Sequence, residues 1–358
     1  MGKLRFPNPG SDFDRLTYIF HLVASACEGT DPFDLDFMAS VVAKKGQASS
    51  QGAQGQMALN RSSRPDRSRD PLYNQMKSYS ELYRLFGWIR PTEEGRLHFR
   101  TTLIGDVVAA YAMNDSSLRG GLLREALLGM VFPNAVSQNI GVTNQRPLVF
   151  LLRLMGLLGG SITKNEIILG LLGCVDDCES DALEKSKVVI EQLRTSSASA
   201  ATAAVEEFAV RESVTRETLS NYTRFPIAAL SSSTIGWGTK TKHVDLYGGP
   251  ESVHAVSLTR HGMETVASLG EMTDLRAQDV ESLDIDSQAD LASSMYYVML
   301  KRAGLAEVDV DRGIAEYGMQ ASAALGLSGQ SAMLWVLYNP FTQATDEVIN
   351  RATGGDDK

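Results

Sequence analysis

The stretch LYRLFGWIRPTEEGRLHFRTTLIGDVVAAY, Leu82 to Tyr111, and the stretch LSSSTIGWGTKTKHVDLYGGPESVHAVSLTRHGMETVASL, Leu230 to Leu269, follow one plan. In each, a helical segment ends at a Gly-Trp pair, Gly87-Trp88 and then Gly236-Trp237. A polar turn and an alternating strand follow, and T-x-x-G opens a new helix at Thr102 to Gly105 and at Thr259 to Gly262. Alternation of apolar and polar residues is the pattern of a half-buried strand.

Helix, strand, turn, strand, helix is how a winged-helix module reads. The expected fold is therefore mainly α with small β-hairpin wings, built as tandem winged-helix or helix-turn-helix modules. Modules of this kind usually bind DNA, placing a helix in the major groove. Fold analogy alone is a weak warrant for function, so the rest of the chain has to carry the argument.

A length of 358 residues allows two or three domains with proper cores, and 43% hydrophobic residues is ordinary for a globular chain. The apolar run from Pro147 to Gly160 is interrupted by Arg153 and falls short of the roughly 20 residues that span a bilayer. The N-terminal MGKLRFPNPGSDFDR has no apolar core of a signal peptide. Three cysteines, Cys27, Cys174 and Cys178, give no disulfide pattern. These features lead to the expectation of a cytoplasmic protein with no membrane partner.

The net charge of −9 argues at first against nucleic acid, but the charge is unevenly spread. From Phe37 to Arg100 eleven Lys or Arg face five acids, a local net of +6. From Glu251 to Lys358 seventeen acids face seven bases, a local net of −10. Affinity for phosphate depends on the charge presented locally rather than on the total. The acidic last third is expected to face away from DNA, or to dock another protein.

Three domains are expected: residues 1–142, 143–270 and an acidic helical region 271–358. In the first, residues 11–29 and 32–45 carry helical spacing, with Leu16, Ile19, Phe20 and Val23, then Phe33, Phe37, Val41 and Val42. Residues 47–70 contain almost no apolar residues and read as a loop or arm that is mobile until something orders it. The arm carries Asn60, Arg61, Arg64, Arg67 and Arg69. A solvated linker is the alternative; an arm placed directly before a wing is where many DNA-binding folds reach into a groove. Asn74 to Phe86 reads as the helix entering the first wing, with Lys77 on it and Arg90, Arg96 and Arg100 around the hairpin.

The middle is the most helical part. Arg146 to Gly159 is a nearly continuous apolar helix led by Pro147, with Asn144, Gln145 and Arg146 at its entry. A Gly-Gly break and SITKNEIILGLLGC follow, where Thr163 and Glu166 have capping-box spacing. Two helices joined by a tight glycine turn make a helix-turn-helix, whose second helix would present Lys164 and Asn165 to bases. Equally, these are solvent-facing residues of a packing helix. Ser196 to Ala204 reads as a connector, and a helix follows from about Val205 to Ser220. The second wing offers Arg224, Lys240, Lys242 and His243 as its polar reach.

The order SYSELYRLFGWIRPTEEGRLHFRTTLIG, LLREALLGMVFPN, then NQRPLVFLLRLMGLLGGSITKNEIILGLLG resembles the DNA-recognition half of type IIS restriction endonucleases of the FokI and AlwI kind, including related nicking enzymes. The matching helices here are Pro147 to Leu154 and Gly160 to Ile167, and NYTRFPIAAL with the segment ending SLTRHG fits the second recognition subdomain. The likeness covers roughly residues 70–270 and implies two winged-helix-like subdomains on a short asymmetric site. It also implies a nuclease domain with a PD-(D/E)xK centre that uses Mg²⁺. Only Asp356-Asp357-Lys358 places an acid two residues before a lysine, with no strand around it. Either this is a recognition subunit whose nuclease lies in another chain, or it is a truncated recognition fragment, or cleavage uses an unusual site. The expectation is a nuclease centre supplied elsewhere, with no cofactor held by this chain and Mg²⁺ belonging to the associated nuclease.

Other chemistries find little support. The histidines His21, His98, His243, His254 and His261 form no zinc-site spacing. Cys174 and Cys178 read as buried or semi-buried thiols, and Asp176, Asp177, Glu179 and Asp181 as a solvated helix end. Phosphate-loop, dinucleotide and nucleophile-elbow motifs are lacking. Expected base contacts are Asn60, Arg64, Lys77, Asn144, Gln145, Lys164 and Asn165, because Asn and Gln suit adenine and Arg suits guanine. The rivals are a non-enzymatic winged-helix regulator or control protein, and a scaffold that binds protein through its acidic end.

Overall fold

The computed structural model describes residues 6, 12–27, 32–62, 70–92, 95–101, 103–111, 113–130, 132, 145–243, 246–247 and 252–271. Within these the chain is mainly helical, with small antiparallel sheets of two or three strands. No helix among them is long and apolar enough to cross a membrane. Contacts divide the described residues into two units, the first holding Asp12–Gly129 and the second Phe6 together with the residues from Met130 on. Phe6 accounts for that: its ring stacks on Phe225 at 5.1 Å and meets Phe132 edge-on at 5.7 Å. The expected region 271–358 lies, past Glu271, outside the described residues.

The first unit runs α1 (Phe13–Ala26), β1 (Phe33–Asp34), α2 (Leu35–Lys44), β2 (Ser49–Ser50), β3 (Ala53–Gln54), α3 (Gly55–Arg61), α4 (Pro71–Leu85), β4 (Ile89–Thr92), β5 (Gly95–Thr101), α5 (Leu103–Tyr111) and α6 (Ser116–Gly129). Its three-stranded sheet has the order β1-β5-β4, all antiparallel. The second unit runs α7 (Pro147–Leu157), β6 (Ser161–Thr163), α8 (Lys164–Gly170), α9 (Ala182–Arg194), α10 (Ala198–Arg211), α11 (Arg216–Tyr222), α12 (Arg224–Ser231), β7 (Gly238–His243), β8 (Val253–Leu258) and α13 (Arg260–Ser268). Its sheet has the order β6-β8-β7. Both units thus share helix, strand, helix, insertion, helix, hairpin, helix, with the first short strand on the far side of the returning strand. The insertion is β2, β3 and α3 in one and α9 to α11 in the other.

The repeated Gly-Trp and T-x-x-G signatures hold this plan together. Gly87 sits at φ +68° and Gly236 at φ +79°, left-handed values that glycine adopts freely. After α4 the turn is closed by Trp88 N donating to Tyr83 O at 2.8 Å, and the chain reverses into β4. Trp88 and Trp237 are both essentially fully buried. Trp88 lies 5.0 Å from the rings of Phe20 and Phe86 and 5.7 Å from Tyr83. Helices α5 and α13 then start against the tryptophan carbonyl: a Cβ on Gly105 would fall inside Trp88 O, and one on Gly262 inside Trp237 O. In the second unit Thr259 completes the joint. Its N donates to Trp237 O at 2.9 Å, and its hydroxyl donates to Gly236 O at 2.6 Å while accepting from Gly262 N at 3.1 Å.

Three expectations are corrected. Residues 47–62 form the β2–β3 hairpin and α3 rather than a mobile arm. What seats them is alanine: Ala48, Ala53 and Ala58 are buried at 1%, 4% and 0% exposure, so a search for large apolar residues passes over them. Ser196 to Ala204 is not a connector but the start of α10, capped by Ser197 and built from alanine, the best helix former. The pair α7 and α8 is not joined by a bare turn. Strand β6 stands between them and pairs with β8, so this is the counterpart of α1-β1-α2 rather than a simple helix-turn-helix.

Candidate nucleic-acid interface

In the first unit, α3 packs on α2 and on the hairpin, and β2 reaches α4. Asp70 caps α4 by accepting from Leu72 N at 2.9 Å and Tyr73 N at 3.0 Å, and Ser62 Oγ donates to the same carboxylate oxygen. This buries the one described acid between Lys44 and Ser80. The solvent face left by these elements carries Lys44, Lys45, Ser49, Gln51, Gln54, Gln56, Met57, Asn60, Arg61, Asn74 and Lys77, with no exposed carboxylate among the described residues of that span. Arg61 Nη1 donates to Gln51 O at 2.9 Å, and Gln56 Nε2 donates to Asn60 Oδ1 at 3.2 Å.

In the second unit, Lys164 is exposed at the start of α8 and its Nζ donates to Ser220 Oγ at 3.2 Å at the end of α11. Asn165 is half-buried; Asn221 and Arg224 follow Ser220 and are exposed. Lys240 and Lys242 are exposed on one face of β7, since side chains two residues apart share a face. The capping box is present as expected: Thr163 N donates to Glu166 Oε2 at 2.8 Å, and Glu166 N to Thr163 Oγ1 at 3.3 Å. Glu166 is fully buried and also takes Arg194 Nε at 2.8 Å, while Arg194 reaches Leu158 O and Ser161 O. Tyr247 OH meets Thr163 Oγ1 at 2.8 Å, and burial pushes its phenol well above the usual range. This cluster is a structural joint.

Ion pairing separates two sets of cations among the described residues. Lys185 pairs with Asp181 and Glu179, Lys187 with Glu184, Arg211 with Glu212, Arg216 with Glu206 and Arg260 with Glu264. Hydrogen bonds to Asp181 and Glu179 raise the Lys185 pKa, and one to Glu184 raises that of Lys187. By contrast Lys44, Lys45, Arg61, Lys77, Arg100, Lys164, Arg224, Lys240 and Lys242 are exposed and have no described carboxylate within 4.0 Å. Arg61 lies on α3, which has no counterpart. The others fall on corresponding elements of the two units: Lys44 and Lys45 at the end of α2 and Lys164 at the start of α8, Lys77 on α4 and Arg224 on α12, Arg100 on β5 and Lys240 and Lys242 on β7. Cations without acidic partners keep their charge available for phosphate.

Not every expected residue belongs to this surface. Gln145 is fully buried and its Nε2 donates to Leu171 O at 3.1 Å, which removes it as a base contact. Arg146 is 5% exposed, and its N donates to Asp177 Oδ2 at 2.6 Å at the start of α7. Its sequence neighbourhood, polar residues before a proline-led helix, hid this burial. His243 is not free to reach outward: its Nε2 lies 2.8 Å from Ser257 Oγ and 3.0 Å from Thr241 Oγ1, with Ser161 Oγ at 3.4 Å. Arg90 and Arg96 lie on β4 and β5. Arg64, Arg67, Arg69 and Asn144 lie outside the described residues. Asp176, Asp177 and Cys178 bring ligand atoms within 4.8 Å of one another, and Asp177 is the acceptor for Arg146 N. Lys44 and Lys45 were counted only within the basic run, and Gln51, Gln54, Gln56, Asn74 and Asn221 were not foreseen, although the lack of any acid between Phe37 and Pro65 was there to be read.

No protein-family model matches this chain, and no curated protein matches it in sequence.

Proposed function

We propose that this chain recognises a specific duplex DNA sequence with two winged-helix-like modules. It acts as the recognition component of a type II, type IIS-like restriction endonuclease whose nuclease centre, with its Mg²⁺, is supplied elsewhere. The observation that carries the reading is the set of exposed cations with no described carboxylate partner on corresponding elements of two units with the same sheet order. In a winged helix the helix before the hairpin enters the groove and the hairpin flanks the backbone. Lys77 and Arg224 stand on that helix, and Arg100, Lys240 and Lys242 on the hairpins. Lys44, Lys45 and Arg61 extend the positive surface around α4, while Asn60, Asn74 and Asn165 supply amides for base edges.

The restriction half of the proposal rests on the resemblance of residues 70–270 and on the order of their elements. The acidic region 271–358 is the proposed docking surface for the nuclease-bearing partner, by charge alone. The deciding experiment incubates the pure chain with plasmid and Mg²⁺, alone and with candidate partner chains. Cleavage at a fixed offset from one sequence, in any combination, supports the reading. Sequence-specific binding with no cleavage in any combination removes the restriction role and leaves a non-enzymatic regulator.

A further inference from the structure

The β2–β3 hairpin and α3 have no counterpart in the second unit, and their solvent face has an unusual composition. It presents four amides, Gln51, Gln54, Gln56 and Asn60, beside Met57, which is 62% exposed, and a single guanidinium, Arg61. A helix face meant only for water ordinarily carries Lys and Glu, whose charges cost nothing to solvate. Gln51 stands at φ +50° in the turn before Gly52, a conformation that ordinarily calls for Asn, Asp or Gly. Arg61 holds that turn through the Gln51 carbonyl at 2.9 Å, so the guanidinium is partly committed to the protein.

The amides are also arranged. Gln56 Nε2 donates to Asn60 Oδ1 at 3.2 Å, one turn apart on α3. That bond consumes a donor of Gln56 and an acceptor position of Asn60. Gln56 Oε1 is left as an acceptor and Asn60 Nδ2 as a donor, on the two amides that this bond joins. The major-groove edge of adenine offers the complement, an N6 amino donor next to the N7 acceptor. Guanine offers two acceptors there and would leave Gln56 Oε1 facing another acceptor. Met57 is a neighbour of Asn60 and Arg61 at three and four residues' spacing, so its thioether shares their face. The thymine C5 methyl is the apolar group that the paired base adds to the same groove.

We infer, on the basis of the DNA-binding reading above, that α3 with the Gln51–Gly52 turn is a base-reading element of the first unit. It reads an A·T pair in the major groove, the Gln56–Asn60 couple taking adenine and Met57 the thymine methyl. The lack of exposed carboxylates among the described residues around it lets the flanking phosphates approach, with Lys44, Lys45 and Lys77 set to take them.

The test selects binding sites from a randomised duplex pool at low salt with the full chain and with Gln56→Ala, Met57→Ala and Asn60→Ala. All three positions are exposed and alanine favours a helix, so unchanged thermal melting is the folding control. The wild type is expected to enrich a motif with a fixed A·T pair. Asn60→Ala and Gln56→Ala should relax that position, lowering discrimination about 5- to 150-fold while the rest of the motif persists. Replacing the selected thymine by deoxyuridine should weaken the wild type about 4-fold and leave Met57→Ala indifferent. A motif of G·C pairs only, or an A·T preference unchanged in both amide variants, overturns the inference while DNA binding stands. Failure of the wild type to retain any duplex overturns the DNA reading itself.

Discussion

Replacing Gly262 by alanine is expected to destabilise the second unit although alanine is the better helix former. Gly262 opens α13 against the Trp237 carbonyl, and a Cβ built on it falls inside that oxygen, 2.9 Å from the carbonyl carbon and 3.0 Å from Leu258 Cδ2. Carbon contacts are comfortable near 3.5–4.0 Å, so about an ångström of movement is needed. Two of the three atoms met first belong to the backbone and cannot swing away; only Leu258 Cδ2 ends a side chain. Moving α13 stretches the bond from Thr259 N to Trp237 O, now 2.9 Å, and the bond from the Thr259 hydroxyl to Gly236 O. Overpacking costs about 1–3 kcal/mol and a weakened bond about 1 more, against a helix-propensity gain of about 1. The net loss is about 1–3 kcal/mol, or roughly 3–10 °C in Tm for a unit of this size. Gly105→Ala should behave alike, since its Cβ meets Trp88 O and lies 2.9 Å from Trp88 C and 3.2 Å from Phe20 Cζ. Gly270→Ala, with nothing within 4 Å, is the control and should shift Tm by no more than about 2 °C. Differential scanning calorimetry on the three variants decides the matter. Wild-type stability in Gly262→Ala and Gly105→Ala would refute the idea that the repeated T-x-x-G is a close-approach joint.

Glu166→Ala removes a fully buried carboxylate from Arg194 and from Thr163 N, and is expected to cost about 3–5 kcal/mol in chemical denaturation. Glu166→Gln, which keeps an acceptor for Thr163 N, should lose clearly less; equal losses would argue against the capping role. Burial pushes the Cys174 thiol up to about 12, whereas Cys178 is exposed, so at about pH 8 a maleimide should label Cys178 and spare Cys174 in the native protein. Peptide mapping of the labelled chain reads this, and labelling of Cys174 at a comparable rate would contradict the packing around α8. The triple variant Lys44→Glu, Lys45→Glu and Lys77→Glu should reduce the salt slope of duplex binding by about 2–3 units, while Lys185→Glu with Lys187→Glu, cations already paired on α9, should leave it unchanged.

The repeated plan was legible because it is written in residues with few alternatives: a glycine that must turn left-handed, a tryptophan that must be buried, and a glycine that must admit a carbonyl. The capping box at Thr163 and Glu166 was legible for the same reason. What escaped was structure held by small residues. Ala48, Ala53 and Ala58 bury the hairpin and α3 with little hydrophobic signal, and the Ser-Ala run at 196–204 reads as a linker unless alanine's helix preference is given its weight. The short strands β1 and β6 escaped as well, because two or three residues show no period and their pairing partners lie far along the chain. In the candidate interface, the sequence offered cations and amides but not their pairing. Only the fold separates Lys77 and Lys164 from Lys185 and Lys187, and only burial removes Gln145 and Arg146.

A fluorescence-anisotropy titration of a labelled duplex pool with the full chain, repeated from about 50 to 200 mM salt, tests the central claim most directly. The account predicts binding at the lowest salt, with log K falling linearly in log salt at a slope of about −5, as expected if roughly six of the unpaired cations meet phosphates. No binding at about 50 mM salt, or binding indifferent to salt, would contradict it.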